Sequence, residues 1–219
     1  MTPTAFTTTL VDAYQLARRP LHQNDKLHRG ESRSVASEIE DLLAFYLVDN
    51  LPLIDDIRIN QPMSIIVKKR RKTIKPDLVV IRDGAIRVLV DVKMDLGYKR
   101  DGIASTFSKA SGHIKAMRGQ TAKYWDSKRS AGGVQRPVMV CPDAAYIFVV
   151  VSYQNISKIA YSKVEAAAHR VHNISLHTLV RGVHPNDYAL SAADILSKCL
   201  PQVATTLPAF EAAIANAVA

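Results

Sequence analysis

Residues 75–93 read KPDLVVIRDGAIRVLVDVK, and the fold turns on how this stretch pairs with itself. Two strand-like runs flank Asp83-Gly84, a dipeptide suited to a tight hairpin. Along the second run Val88, Val90, Val92 and Met94 point one way, and Arg87, Leu89, Asp91, Lys93 and Asp95 the other. Three charges on one strand face are most simply a solvated face. Asp77 decides whether they are more than that. A two-residue Asp83-Gly84 loop pairs Asp77 with Val90 and turns it away from Asp91. A three-residue loop, Arg82-Asp83-Gly84, sets Asp77 opposite Leu89, diagonal to Asp91 on the same face and about 7–8 Å from it. Both loops are chemically reasonable. A cation shared by the two carboxylates requires the loop of odd length.

Working outward, residues 33–48 (RSVASEIEDLLAFYLV) carry helical spacing, with Val35, Ile39, Leu42, Leu43 and Tyr46 on one side. MSIIV (63–67) reads as a first strand, KKRRKT (68–73) as a basic turn, IKPDLVVI (74–81) as a second strand and IRVLVDVKMD (86–95) as a third. Residues 108–129, SKASGHIKAMRGQTAKYWDSKR, read as a basic helix. Residues 136–153 have the continuous apolar character of one long or two short buried strands. A helix at 162–171, a strand at 173–180 and a helical region at 185–200 follow, and 207–219 is a helix or a loose tail. The N-terminal 30 residues read as a helix and a polar connection. The pattern implies a single α/β or α+β domain around a mixed sheet.

Composition narrows the function. The formal net charge is +9, with 29 Lys and Arg against 20 acids, which favours a polyanionic partner. No run of apolar residues is long enough for a transmembrane helix. The basic residues near the N-terminus follow the apolar ones, the reverse of a secretory signal. Cys141 and Cys199 form no disulfide or zinc framework, so a reducing, cytoplasmic setting is expected. No His-x-x-x-His pair, glycine-rich phosphate loop or local nucleophile triad occurs. Two ionised carboxylates converging on one point need a cation between them, and all-oxygen ligands suit Mg²⁺, with Mn²⁺ able to substitute. A lysine on the same face can orient or deprotonate a water, an assembly suited to hydrolysis of a phosphodiester.

Pro76-Asp77 followed by Asp91-Val92-Lys93 resembles the signature of the PD-(D/E)XK nuclease superfamily. The resemblance implies a restriction-endonuclease-like α/β core, a mixed central sheet flanked by helices in αβββαβ order. That core would span about 33–152 of one nuclease-like domain, 1–219, with helical extensions at both ends. It implies a metal held by Asp77, Asp91 and the Val92 carbonyl, with Lys93 serving the attacking water. Members often add a glutamate from the first helix. Glu38, at the edge of the apolar side between Leu42 and Phe45, is the expected one, with Glu40 and Asp41 pointing outward and Glu31 as a second candidate. The expected activity is a Mg²⁺-dependent deoxyribonuclease, an endonuclease of restriction or phage-defence type. Double-stranded DNA is the favoured substrate, and a homodimer would cut both strands.

Phosphate contacts are expected from the basic turn (Lys68, Lys69, Arg70, Arg71, Lys72, Lys75). Lys99 and Arg100 follow the third strand beside Tyr98, and Lys109, Lys115, Arg118 and Lys123 lie on the basic helix. Gln120-x-x-x-Tyr124 resembles an element found in one branch of the superfamily. His113 is expected at the surface. The rival readings are a non-catalytic nucleic-acid-binding or assembly module on the same fold, a nuclease directed at RNA, and an accidental motif.

Overall fold

The structure is a computed structural model that describes residues 1–22, 33–67, 70–97, 102–126 and 132–219. The elements in chain order are α1 (Pro3–His22), α2 (Ala36–Asn50), β1 (Asp56–Ile59), β2 (Met63–Val67), β3 (Arg70–Ile74), β4 (Leu78–Arg82) and β5 (Ala85–Lys93). There follow α3 (Ile103–Met117), β6 (Thr121–Trp125), β7 (Gln135–Ser152), α4 (Lys158–His169), β8 (Ile174–Val180) and α5 (Ala192–Val218).

A mixed, open sheet runs β1-β4-β5-β7-β6-β2-β3, with β8 also paired to β7. Helices cover both faces. Leu78, Val80, Val88, Val90 and Val92 pack with Ile147 and Val149 against α1, α2 and α5. Val79, Ile81, Ile86 and Leu89 pack with Phe148 and Val150 against α3 and α4. Burial on both faces explains why β4 and the second half of β7 are almost wholly apolar. In β7, Gln135–Met139 pairs antiparallel with β6, while Met139, Val140 and residues 145–150 pair parallel with β5 and residues 146–152 pair parallel with β8.

The hairpin joining β4 to β5 corrects the expected loop. Arg82 pairs with Ala85, so the loop has the two residues Asp83 and Gly84, both at positive φ (53° and 67°). Consecutive left-handed residues are what a right-twisted two-residue hairpin requires. The parity then changes inside the strands. Ile81 pairs with Ile86 but Val80 with Val88, which leaves Arg87 as a β-bulge. The ladder therefore ends with Leu78 opposite Val90, and Asp77 stands one step further on, level with Asp91. The two acids share a face by way of a bulge and an even loop.

Other expectations are also corrected. The strand beside β4 is β1, and β2 instead pairs with β3 and β6 on the far side of the sheet. Most of the expected basic turn is strand β3, and Lys75–Asp77 separates β3 from β4. The basic helix stops at Met117, beyond which Gly119 takes φ 69° and the chain continues as β6. The C-terminal region is one helix through Pro201 and Pro208, both on its exposed side. Its residues Ile195, Cys199, Val203, Leu207, Phe210, Ile214 and Val218 form an unbroken buried stripe. Among the described residues no helix is long and apolar enough to cross a membrane.

Candidate metal and nucleic-acid site

Asp77 sits where the β4 ladder stops, between buried Pro76 and buried Leu78. Its Oδ2 accepts the Val92 N–H at 2.6 Å, so the carboxylate replaces the strand carbonyl that an extended ladder would supply. Asp91 lies on β5 beside Phe148 of β7. Lys93 bends back over both acids. Its Nζ is 3.3 Å from Asp91 Oδ2 and 3.8 Å from Asp77 Oδ2, and it donates to the Val92 carbonyl at 3.2 Å. All three side chains are 18–19 % exposed. One ammonium is thus surrounded by two carboxylates and a carbonyl.

Burial pushes the Asp77 carboxyl up to about 6 against the pull of the Val92 N–H, with Asp91 and Glu40 raising it further and Lys93 lowering it. The crowding is what a strip of half-buried anions with too little counter-charge produces. Glu40, expected to point outward, turns inward instead. It is buried on α2, whereas Glu38 is exposed and borders a groove between α1 and α2. The Glu40 carboxylate accepts from Asn60 Nδ2, and the Asn60 N–H donates to the Asp77 carbonyl at 2.7 Å. Asn60 reaches this position with φ 53°, which asparagine tolerates. The signal for Glu40 lies in its spacing, since it shares a buried stripe with Leu43, Ala44 and Leu47. The side on which Glu38 was expected includes Phe45, which is 63 % exposed.

Tyr146 is a second residue that sequence reasoning missed. It stands on β7 opposite Leu89, on the face that carries Asp91, and its ring stacks on Phe148. Burial first, then Asp91 and Asp77, hold its phenol far above the ordinary range, so it keeps its proton beside the acids. Its signal is the alternation of Tyr146, Phe148 and Val150, all buried in the core under α3 and α4.

The donor set fits a hard divalent cation. Two carboxylates and a carbonyl face a point already taken by a positive charge, and Mg²⁺ is commonly held by one or two carboxylates with water completing its shell. Among the described residues no group of three or more His, Cys, Asp or Glu is placed to hold a metal ion.

The expected phosphate-binding residues separate into groups. Arg70, Arg71, Lys72 and Lys75 are exposed on β3 and just after it, and Lys109 and Lys115 are exposed on α3. Lys72 helps depress the half-buried His113 of α3, after burial, which sets β3 alongside that helix. Lys123 is exposed on β6. Arg118 is committed elsewhere, its Nε and Nη2 donating to the Ala144 carbonyl at 3.0 and 2.7 Å. Gln120 and Tyr124 share no helix: Gln120 precedes β6, and Tyr124 lies in β6 beneath the Arg58 guanidinium, 4.9 Å from the ring centre. Lys68, Lys69, Tyr98, Lys99, Arg100 and Glu31 lie outside the described residues. Charge is strongly segregated along the chain. Residues 58–136 hold nineteen basic and six acidic residues, and residues 1–57 five basic and nine acidic. No protein-family model, curated protein or solved structure matches the chain.

Proposed function

We propose that this protein is a metal-dependent nuclease of the PD-(D/E)XK type that hydrolyses DNA. The observation that carries the reading is the convergence of Asp77, Asp91 and the Val92 carbonyl on one cation position, held by the Lys93 ammonium within 3.2–3.8 Å. The element order supports it: α2, the antiparallel run β1-β4-β5, then α3 and β7 follow the helix, meander, helix and strand of the resembled core, with β2 and β3 inserted into the meander. The segregated positive charge supports a nucleic-acid substrate.

In this reading Asp77, Asp91 and the Val92 carbonyl hold Mg²⁺ or Mn²⁺, and Glu40 braces Asp77 through Asn60. The bound ion supplies an acidified water and neutralises charge on the phosphate. Lys93, whose ammonium now lies between the acids, would with the ion in place be free to stabilise negative charge developing on an attacking water. Tyr146, which keeps its proton beside the acids, would be a hydrogen-bond donor near the site. The basic residues of β3 and α3 hold the backbone without reading its sequence. Cutting both strands would require a second copy, so the working form is a homodimer. A restriction or phage-defence role fits an enzyme of this size.

The test is incubation with supercoiled plasmid, linear duplex, single-stranded DNA and RNA, in Mg²⁺, Mn²⁺ or EDTA. Cleavage of DNA that EDTA stops is the expected result. Cleavage of RNA alone would redirect the substrate. Binding without cleavage under every condition would make the protein a non-catalytic binding module.

A further inference from the structure

Beyond the carboxylate site, the ends of the three parallel strands enclose a polar cleft of about 440 Å³. Ends of this kind are where open α/β sheets place ligands. Asp95 follows β5, Gln154 and Asn155 follow β7, and His184 to Tyr188 follow β8. Asp95 is two residues past Lys93, so the cleft begins at most about 7 Å along the backbone from the lysine.

Its walls are built rather than incidental. Asp187 N–H donates to the His184 carbonyl at 2.9 Å, and Asp187 Oδ1 accepts the Ala189 N–H at 2.9 Å. Asn186 N–H donates to His184 Nδ1 at 2.9 Å, which leaves the ring proton on Nε2. That Nε2–H is shielded from solvent and finds no acceptor among the described residues. Arg18 of α1 donates from Nε to Asn186 Oδ1 at 2.7 Å and lies 4.2 Å above the Tyr188 ring centre. Tyr188 still exposes 57 % of its surface. Asp95 Oδ1 accepts the Gly97 N–H at 2.7 Å. The second oxygens of Asp95 and Asp187 make no hydrogen bond among the described residues.

Two carboxylates repel phosphate, and the uncharged His184 ring supplies a single N–H donor but no compensating charge. They suit a planar ligand whose edge presents N–H donors, with an aromatic ring at the rim for stacking. We propose that this cleft is a base-binding subsite. It takes the base of a nucleotide adjacent to the bond that is cut and prefers a base bearing an amino group over thymine. The proposal rests on the nuclease reading for its substrate. It needs single-stranded or unstacked DNA, because the edge and face of a paired, stacked base are already occupied by its neighbours.

Two arms test it, one independent of catalysis. In EDTA, oligonucleotides with one 5-iodocytosine, a photoreactive base that keeps the amino group, at each position in turn are irradiated with the full-length protein, and the crosslinked peptide is mapped. A crosslink to the peptide containing Tyr188 is expected, and it should be lost in Tyr188→Ala. In Mg²⁺, cleavage of a randomised single-stranded library should favour an amino-bearing base at one position beside the cut by about tenfold. Asp187→Asn should remove that bias while cleavage continues, with a melting curve to show that the variant is folded. Cleavage with no bias at any flanking position, or crosslinks confined to other peptides, would overturn the subsite and leave the nuclease reading standing. If the protein binds DNA and never cuts, the crosslink alone decides. Absence of any binding to DNA or RNA would end both.

Discussion

The hairpins β2–β3 and β4–β5 are built alike and used in opposite ways. Both are antiparallel, one ladder ending at Val67 opposite Arg70 and the other at Arg82 opposite Ala85. β4 and β5 lie inside the sheet between β1 and β7, covered on both faces, whereas β3 is an outer strand whose residues 70–73 are exposed. In the covered pair a charge is expensive, so Asp77, Asp91 and Lys93 converge and satisfy one another. On the open strand a charge is cheap, and Arg70, Arg71 and Lys72 spread out, each worth little alone. On the proposed function, position in the sheet separates chemistry from grip. One hairpin can concentrate charge on a point, and the other can only sum it over a surface.

The largest expected effect breaks the two apart. Asp91→Ala should lower Mg²⁺-dependent cleavage by at least about a thousandfold, as removal of a group acting directly on developing charge does. DNA binding in EDTA should persist or tighten, because a charge that repels phosphate is gone. The complementary variant, Arg70→Ala with Arg71→Ala and Lys72→Ala, should weaken binding and flatten its salt dependence by about 0.9 slope units for each phosphate no longer neutralised. Its turnover at saturating DNA should stay near that of the wild type. Equal falls in binding and turnover in both variants would dissolve the distinction.

A smaller effect concerns the cost of concentrating charge. The Asp77 carboxyl is raised to about 6 in the folded protein, first by burial, from an unfolded value near 3.8. Between these values the folded state holds the proton more tightly, so the stability it contributes is full below the unfolded value and is lost as pH rises through about 6. Without metal, the wild type should lose on the order of 2 kcal/mol relative to Asp77→Asn between pH 4 and pH 7. Urea unfolding of both proteins across that range checks this, and parallel curves would show that Asp77 is not strained.

The smallest effect sharpens the role of the lysine. Lys93→Met leaves the acids without their counter-charge and should destabilise the metal-free protein by about 1 kcal/mol at pH 8. Asp91→Asn in the same chain should restore most of that. Mn²⁺ should bind Lys93→Met more tightly than the wild type by calorimetry, since no ammonium has to leave.

Much of this is legible in the residues. The buried side of α2, the alternation along β5 and the Asp83-Gly84 turn follow from local spacing and turn chemistry. The bulge at Arg87 does not, because no composition marks one extra residue, and parity counted along the sequence carries through it unaware. β1 is hidden for a different reason: Asp56–Ile59 is short and charged, and it is held by pairing with β4 rather than by its own apolarity. β6 reads as helix although Gly119 marks the stop. Glu40 reads as exposed because an acid ordinarily faces water, and only the partner Asn60, twenty residues away, makes its burial tolerable. Proline inside α5 misleads likewise, since its missing donor faces solvent there and costs less than an interior break.

The partner exchange along β7 has a consequence for cooperativity. Its C-terminal half belongs to the unit that carries the acids, in register with β5 and β8. Its N-terminal half carries an outer unit, joined through the five pairs from Thr121↔Met139 to Trp125↔Gln135 and extended by β2 and β3, and meets β5 only at Met139 and Val140. A strand shared in this way lets the two units unfold in sequence rather than together, with local opening confined to the outer one. Heat or denaturant that loosens β6, β2 and β3 would then loosen the grip on a polyanion before it reaches Asp77, Asp91 and Lys93. On the proposed function, the protein would lose its hold on nucleic acid at a lower temperature than it loses the carboxylate site.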